Sequence, residues 1–107
     1  MSGYFDRKGQ PMTMEEWSRA YSDMEYKRVA LTKLPDGKEV STVWLGLDHS
    51  FGGALPLFFE TMVFPGDGTG RDLDAARYSS EEEARVGHAA MVERWSHPQP
   101  TQPGGDA

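Results

Sequence analysis

The sequence has no cysteine, which excludes disulfide bonds, thiolate zinc sites and cysteine nucleophiles. It also has no apolar run near the roughly 20 residues that span a bilayer, and the N-terminal stretch MSGYFDRKGQ lacks the apolar core of a signal peptide. We therefore expect a protein of the cytoplasm that is not embedded in a membrane. A bound metal ion would need histidine, aspartate or glutamate ligands.

Positive charge is scarce, above all in the second half of the chain. The net charge is −6, from 11 basic and 17 acidic residues. Up to Leu47 the chain has seven residues of each sign, whereas from Asp48 onward it has four basic and ten acidic residues. An acidic surface repels a phosphate backbone, so nucleic-acid binding is disfavoured. A local basic cluster keeps that alternative open: Lys27, Arg28, Lys33 and Lys38.

At 107 residues the chain has the size of one domain with a modest core. Aromatic residues make up 11% of the chain, so large rings supply much of that core. We assign residues 1–95 to a single domain. Residues 96–107, SHPQPTQPGGDA, are rich in proline and glycine and poor in apolar side chains, a composition that predicts a disordered tail.

Residues 40–64 are the part around which the rest of the chain is organised. Two apolar runs, STVWLGL and LFFETMVF, are joined by a connection that contains Gly52, Gly53 and Pro56. Each run is apolar on both of its alternating faces, which is typical of strands in the middle of a sheet. We expect these runs to form the centre of the sheet.

Turn residues and alternation predict the remaining strands. Pro35-Asp36-Gly37 predicts a β-hairpin between strands at residues 26–33 and 38–47. Residues 57–64 are the third main strand, and short edge strands are expected around Tyr4 and Phe5 and at residues 73–78.

Two capping boxes mark the starts of two helices. Thr13 with Glu16 begins a helix over residues 13–23, and Ser80 with Glu83 begins a second helix that continues to about Trp95. Glycine lowers helix propensity, so its presence within the second helix indicates a close approach to the sheet. The predicted buried stripe of this helix is Ala84, Gly87, His88, Met91, Val92 and Trp95.

Together these elements predict an α+β domain: an antiparallel meander of three main strands plus short edge strands, with two helices packed against it. Two helices cover only one face of the central strands well. Trp44 therefore either lies beneath a loop or marks an exposed apolar surface used for association.

Four titratable residues are the candidates for chemistry: Asp48, His49, Glu60 and His88. Two imidazoles and two carboxylates would suit a divalent metal ion or an acid–base pair, with Asp48, His49 and His88 as candidate ligands. Their spacing matches no established metal motif, so we expect neither a metal site nor a cofactor. The simpler interpretation is a buried structural pair between Glu60 and His88.

The surplus apolar surface favours a protein-interaction module, with Trp44, Phe51 and Trp17 as candidate binding residues. Its partner would be another protein or a second copy of the chain. The alternative is a small metal-dependent or acid–base enzyme that uses the four titratable residues.

Three segments, STVWLGLDHSFGG, FETMVF and RYSSEEEARVGHAAMV, resemble a family of small proteins of actinobacterial phages and some bacteria, as does the opening YFDRKGQPMT. The resemblance covers about residues 4–95. The family has no established activity, so it implies no catalytic residues. It implies an accessory protein of a phage or prophage that works inside a bacterial cell, with a host or phage protein as its partner.

Overall fold

The computed structural model of the protein describes residues 3–47 and 57–96. The elements in chain order are β1 (Tyr4–Phe5), β2 (Pro11–Met12), α1 (Met14–Tyr21), α2 (Met24–Lys27), β3 (Arg28–Lys33), β4 (Glu39–Trp44), β5 (Phe59–Phe64), β6 (Asp74–Tyr78) and α3 (Glu81–Ser96). None of the helices in these residues is long and apolar enough to cross a membrane.

The fold is α+β, with a four-stranded antiparallel sheet in the order β3-β4-β5-β6. The predicted meander is confirmed, and the apolar runs β4 and β5 occupy its centre. The expected edge strand at residues 73–78 is β6, which pairs along β5. The strand expected around Tyr4 pairs with β2 in a separate small sheet, which one bridge between Tyr4 and Leu47 connects to the chain beyond β4.

The turn between β3 and β4 has the predicted chemistry. The Leu34 N–H donates to the Lys38 carbonyl at 2.7 Å, and the Gly37 N–H donates back to the Leu34 carbonyl at 2.9 Å. Gly37 has a φ of 97°, a value that glycine adopts without strain. This turn sets the register in which Lys33 pairs with Glu39.

The first predicted helix is divided in the structure. α1 begins with the expected capping box, because the Thr13 side chain accepts from the Glu16 N–H while Glu16 accepts from the Thr13 N–H. Asp23 then caps a second short helix, α2, by accepting from the N–H groups of Glu25 and Tyr26. Tyr26 and its successor are therefore helical, and β3 begins two residues later than predicted.

Helix α3 packs across all four strands of the large sheet. Ser80 caps it by accepting from the Glu83 N–H at 3.1 Å, as predicted. Ala84, His88 and Met91 are its buried residues. A side chain on Gly87 would overlap the present position of the Tyr78 ring, so the helix approaches β6 closely at this glycine.

Two apolar clusters lie beneath the helices, on the same face of the sheet. One is centred on Trp44 and Phe59, with the N-terminal elements around it. The other contains Leu34, Val40, Val63 and Met91. Thr42 and Thr61 are fully buried in this same face, between the two clusters in register.

The N-terminal elements cover one end of this core. Trp44 donates through Nε1 to the Phe5 carbonyl at 2.9 Å, and Trp17 donates through Nε1 to the Leu45 carbonyl at 3.0 Å. Gly46 lies against both indole rings with a φ of 74°, so a side chain there would be strained and would also clash. Trp44 is 0% exposed, and of the two alternatives for it, a covered position is correct.

A single arginine connects three of these elements. Arg7 binds both carboxylate oxygens of Glu81 at 2.6 and 2.9 Å, and its Nη1 donates to the Tyr26 carbonyl at 2.9 Å. The hydrogen bonds from Arg7 are the main reason that the pKa of Glu81 is lowered. This clamp fixes the turn after β1 to the first turn of α3.

Candidate functional site

The structure separates the two candidate residues that it describes. His88 projects from α3 onto the face of the sheet that contains Thr42, whereas Glu60 alternates with Thr61 in β5 and therefore lies on the opposite face. The predicted pair between Glu60 and His88 is wrong. Neighbouring residues of a strand point to opposite sides, so these two groups do not act on the same atom.

His88 is instead bound by threonine hydroxyls. Its Nδ1 lies 2.7 Å from Thr42 Oγ1 and its Nε2 lies 2.9 Å from Thr32 Oγ1, while Thr42 also bonds Thr61 at 2.5 Å. A hydroxyl can both donate and accept, so this chain satisfies a neutral imidazole without any carboxylate. The arrangement explains a polar residue in the middle of the core.

The environment of His88 favours its neutral form. Burial lowers its pKa below the ordinary value of 6.5, and the positive charge of Arg85, one helical turn earlier, lowers it further. His88 is 7% exposed. Its two ring nitrogens are both occupied, so the geometry gives this histidine a structural role between α3 and strands β3 and β4.

Glu60 pairs with Arg77, the residue beside it in register on β6. Arg77 Nε donates to Glu60 Oε2 at 3.1 Å. The Glu60 side chain is 10% exposed and that of Arg77 is 39% exposed. The glutamate that was unexpected in a central strand is thus explained by a neighbouring cation.

Asp48, His49 and Phe51 lie outside the described residues. Within residues 3–47 and 57–96, no group of three histidine, aspartate or glutamate side chains could hold a metal ion. The candidate binding residue Trp17 is half-buried, stacked on Tyr21 with ring centroids 4.7 Å apart. Trp44 is enclosed in the core, so its ring offers no surface to a partner.

The face of the sheet opposite α3 is the more informative surface. We call it the open face, because every helix of the described chain packs on the other side. Strand register arranges the open face in three rows: Arg28, Val43, Glu60 and Arg77; Leu31, Ser41, Met62 and Ala75; and Lys33, Glu39 and Phe64.

The open face is apolar at its centre and charged toward its margins. Leu31 is 38% exposed, while Val43, Met62 and Phe64 are half-buried. Four of its five charged residues form pairs, Glu60 with Arg77 and Lys33 with Glu39, the latter at 3.6 Å. An apolar centre with a polar margin is the usual composition of a protein-binding surface.

A second candidate region is a cleft of about 420 Å³ between the β1–β2 hairpin and the start of α1. Tyr4, Met12 and Met14 contribute its apolar lining. Its carboxylate, Glu16, is already engaged in the capping box with Thr13. The cleft therefore offers apolar contacts to a ligand, while its carboxylate already has a hydrogen-bond partner within the protein.

No family model matches the chain, and no curated protein and no solved structure is significantly similar to it.

Sequence reasoning missed the threonines that bind His88. Thr42 and Thr61 occupy buried positions of adjacent strands in direct register, a signal visible only once the pairing of β4 with β5 is known. Two helices were expected to cover only one face of the central strands well. Within residues 3–47 and 57–96 the helices pack on the face of Trp44, and none packs on the opposite face, that of Val43.

Proposed function

We propose that the protein is an interaction module that binds another protein through the open face. The supporting observation is the row of Leu31, Ser41, Met62 and Ala75, which crosses all four strands with no helix of the described chain against it. Apolar residues on both faces of a sheet indicate that both faces are covered in the functional state. One face is covered by α3, and a partner would cover the other.

Charge supports a protein partner over a nucleic acid. Three members of the basic cluster are engaged within the molecule: Lys27 lies 3.6 Å from the centre of the Tyr21 ring, Lys33 contacts Glu39, and Lys38 contacts Asp36. The net charge of −6 adds long-range repulsion of phosphate. Binding of a protein with a matched apolar patch carries neither of these costs.

The proposal for the wider biological role rests on the sequence resemblance alone. On that basis we propose an accessory protein of a phage or prophage that acts in the bacterial cytoplasm on a host or phage protein. The enzymatic alternative required four titratable residues to converge, and two of them, Glu60 and His88, lie on opposite faces of the sheet. It retains Asp48 and His49, and metal analysis of protein purified without a histidine tag tests it.

The proposed function predicts that a charge at the centre of the open face abolishes partner binding. In the Met62→Lys variant an ammonium replaces the apolar side chain on central strand β5, and its desolvation opposes docking. The measurement is affinity capture from lysate of the bacterial host by the immobilised protein. The native chain should retain a defined partner that the variant loses.

Val86→Lys is the matched control, because Val86 is 67% exposed on α3, away from the open face. It should capture the same partner as the native chain. Circular dichroism of both variants verifies the fold. Equal capture by native and Met62→Lys protein would contradict the proposal.

A further inference from the structure

We infer that Asp67, in the loop between β5 and β6, is a site of spontaneous covalent modification at which the aspartyl residue isomerises to isoaspartate. The reaction begins when the backbone nitrogen of the next residue attacks the side-chain carboxyl. It is least hindered when that residue is glycine, which has no side chain. The sequence contains two such pairs, Asp36-Gly37 and Asp67-Gly68, and no asparagine that could form isoaspartate by losing its amide.

The chemistry requires only water and the chain itself. A bond forms between the Gly68 nitrogen and the side-chain carboxyl carbon of Asp67. The carboxyl loses its hydroxyl and the nitrogen loses its proton, and the two leave together as water. Water then opens the resulting succinimide ring at either of its carbonyls: opening at the side-chain carbonyl restores aspartate, and opening at the main-chain carbonyl gives isoaspartate. The product keeps the original mass and one carboxylate, and the reaction does not depend on the proposed function.

The two aspartate side chains are placed alike. Asp36 Oδ1 accepts from the Lys38 N–H at 3.1 Å, and Asp67 Oδ1 accepts from the Thr69 N–H at 3.0 Å. Each bond spans the intervening glycine, so each carboxyl lies beside the nitrogen that would attack it. Hydrogen bonds from the same two partners, chiefly from their side chains, lower the pKa of both carboxyls. Because the carboxyl must be protonated to lose water, both reactions should be faster in mild acid.

The two glycine nitrogens differ in their hydrogen bonds. The Gly37 N–H donates to the Leu34 carbonyl at 2.9 Å within the turn between β3 and β4. Pro35 also fixes the backbone directly before Asp36. The Gly68 N–H, by contrast, has no backbone acceptor among the residues that the structure describes. Attack on Asp36 therefore requires this turn to open, whereas attack on Asp67 breaks no such bond.

Packing restricts the two glycines to different extents. An added side chain would meet no atom within 4 Å at Gly37 or at Gly68, but the Gly37 carbonyl lies directly against Gly66, where a side chain would overlap it. Residues 66–73 are all exposed. The backbone of Gly37 is thus held by its own turn and by a neighbouring loop, and the backbone of Gly68 is freer to rotate into the geometry of the ring.

The expected result is a difference in rate between the two pairs that exists only in the folded protein. Isoaspartate should form about tenfold faster at Asp67 than at Asp36, because the barrier at Asp36 includes the opening of the turn. In the chain unfolded by urea both pairs lose these contacts and should react at similar rates.

The measurement is peptide mapping of the protein after prolonged incubation in mildly acidic buffer, with and without urea. Trypsin cleaves after lysine and arginine, so Asp36 falls in the fragment of residues 34–38 and Asp67 in that of residues 39–71. Isoaspartyl fragments have unchanged mass but separate by chromatography. Electron-transfer fragmentation breaks the extra backbone bond of isoaspartate and locates it at one residue.

A pair of glycine variants tests the assignment of the attacking nitrogen. Gly68→Ala should slow the reaction at Asp67 several-fold, because the methyl group hinders attack by its own nitrogen. Gly70→Ala is the matched control: Gly68 and Gly70 have φ values of 83° and 75°, and neither has an atom within 4 Å of an added side chain. The control has the same backbone strain but a different nitrogen, and its rate at Asp67 should equal that of the native chain.

Three results would overturn the inference. One is a rate at Asp36 that equals or exceeds the rate at Asp67 in the folded protein. Another is an unchanged rate at Asp67 in Gly68→Ala. The third is the absence of isoaspartate at Asp67 in the folded protein, whether or not the unfolded chain forms it.

Discussion

The buried residue His88 makes the free energy of unfolding depend on pH. Its pKa is lower in the folded chain than the value of 6.5 it has when exposed, because burial disfavours the imidazolium. The unfolded chain therefore binds the proton more readily, and the free energy of unfolding must decrease as pH falls below about 6.5. At higher pH the imidazole is neutral in both states and this loss is absent.

We predict that His88→Gln removes this part of the pH dependence. Glutamine still offers a donor and an acceptor to Thr32 and Thr42, but it does not titrate. Urea unfolding between pH 7 and the pH at which carboxylates begin to titrate should give a steeper decline for the native chain than for the variant. Parallel declines would show that His88 does not carry the effect.

At the scale of elements, the chain tolerates substitution poorly where the N-terminal elements meet the end of β4. Gly46 combines a φ of 74° with contact to the indoles of Trp17 and Trp44. A methyl group there adds backbone strain to overpacking, and each of these effects costs about 1–3 kcal/mol.

We therefore predict that Gly46→Ala destabilises the protein by about 3 kcal/mol, measured by urea denaturation. Gly9→Ala is the matched control, because Gly9 has a φ of 84° but no atom within 4 Å of an added side chain. This variant should be destabilised by the backbone strain alone, about 1 kcal/mol. Equal losses in the two variants would contradict a steric role for the two tryptophans.

The elements themselves were largely predictable, because local chemistry determines them. The capping boxes at Thr13 and Ser80, the turn at Gly37 and the apolar runs of β4 and β5 each act over a few residues. α2 was missed because Asp23 forms its cap with side-chain bonds that compete with the start of a strand. The partners of His88 were missed because Thr32 and Thr42 become neighbours only through tertiary packing.

At the scale of the whole molecule, stability should be uneven. β4 and β5 each have a strand on both sides and α3 on one face, whereas β1 and β2 form a two-stranded sheet of two residues each. Local opening therefore costs least in the N-terminal hairpin and most at the sheet centre.

We predict that backbone amides in β4 and β5 exchange slowest with deuterated water, and those in β1 and β2 fastest among the strands. Mass spectrometry of peptic fragments provides the measurement. Equal protection of β2 and β4 would contradict this order.

The clamp between Arg7 and Glu81 can form only late in the synthesis of the chain. These residues are 74 positions apart, and translation adds about 5–20 residues per second. About 4–15 s therefore pass between the synthesis of Arg7 and that of Glu81. During that interval the turn after β1 exists without the carboxylate that fixes it. The clamp can close only after all four strands of the large sheet have been synthesised, so it is a late event in the life of a nascent chain.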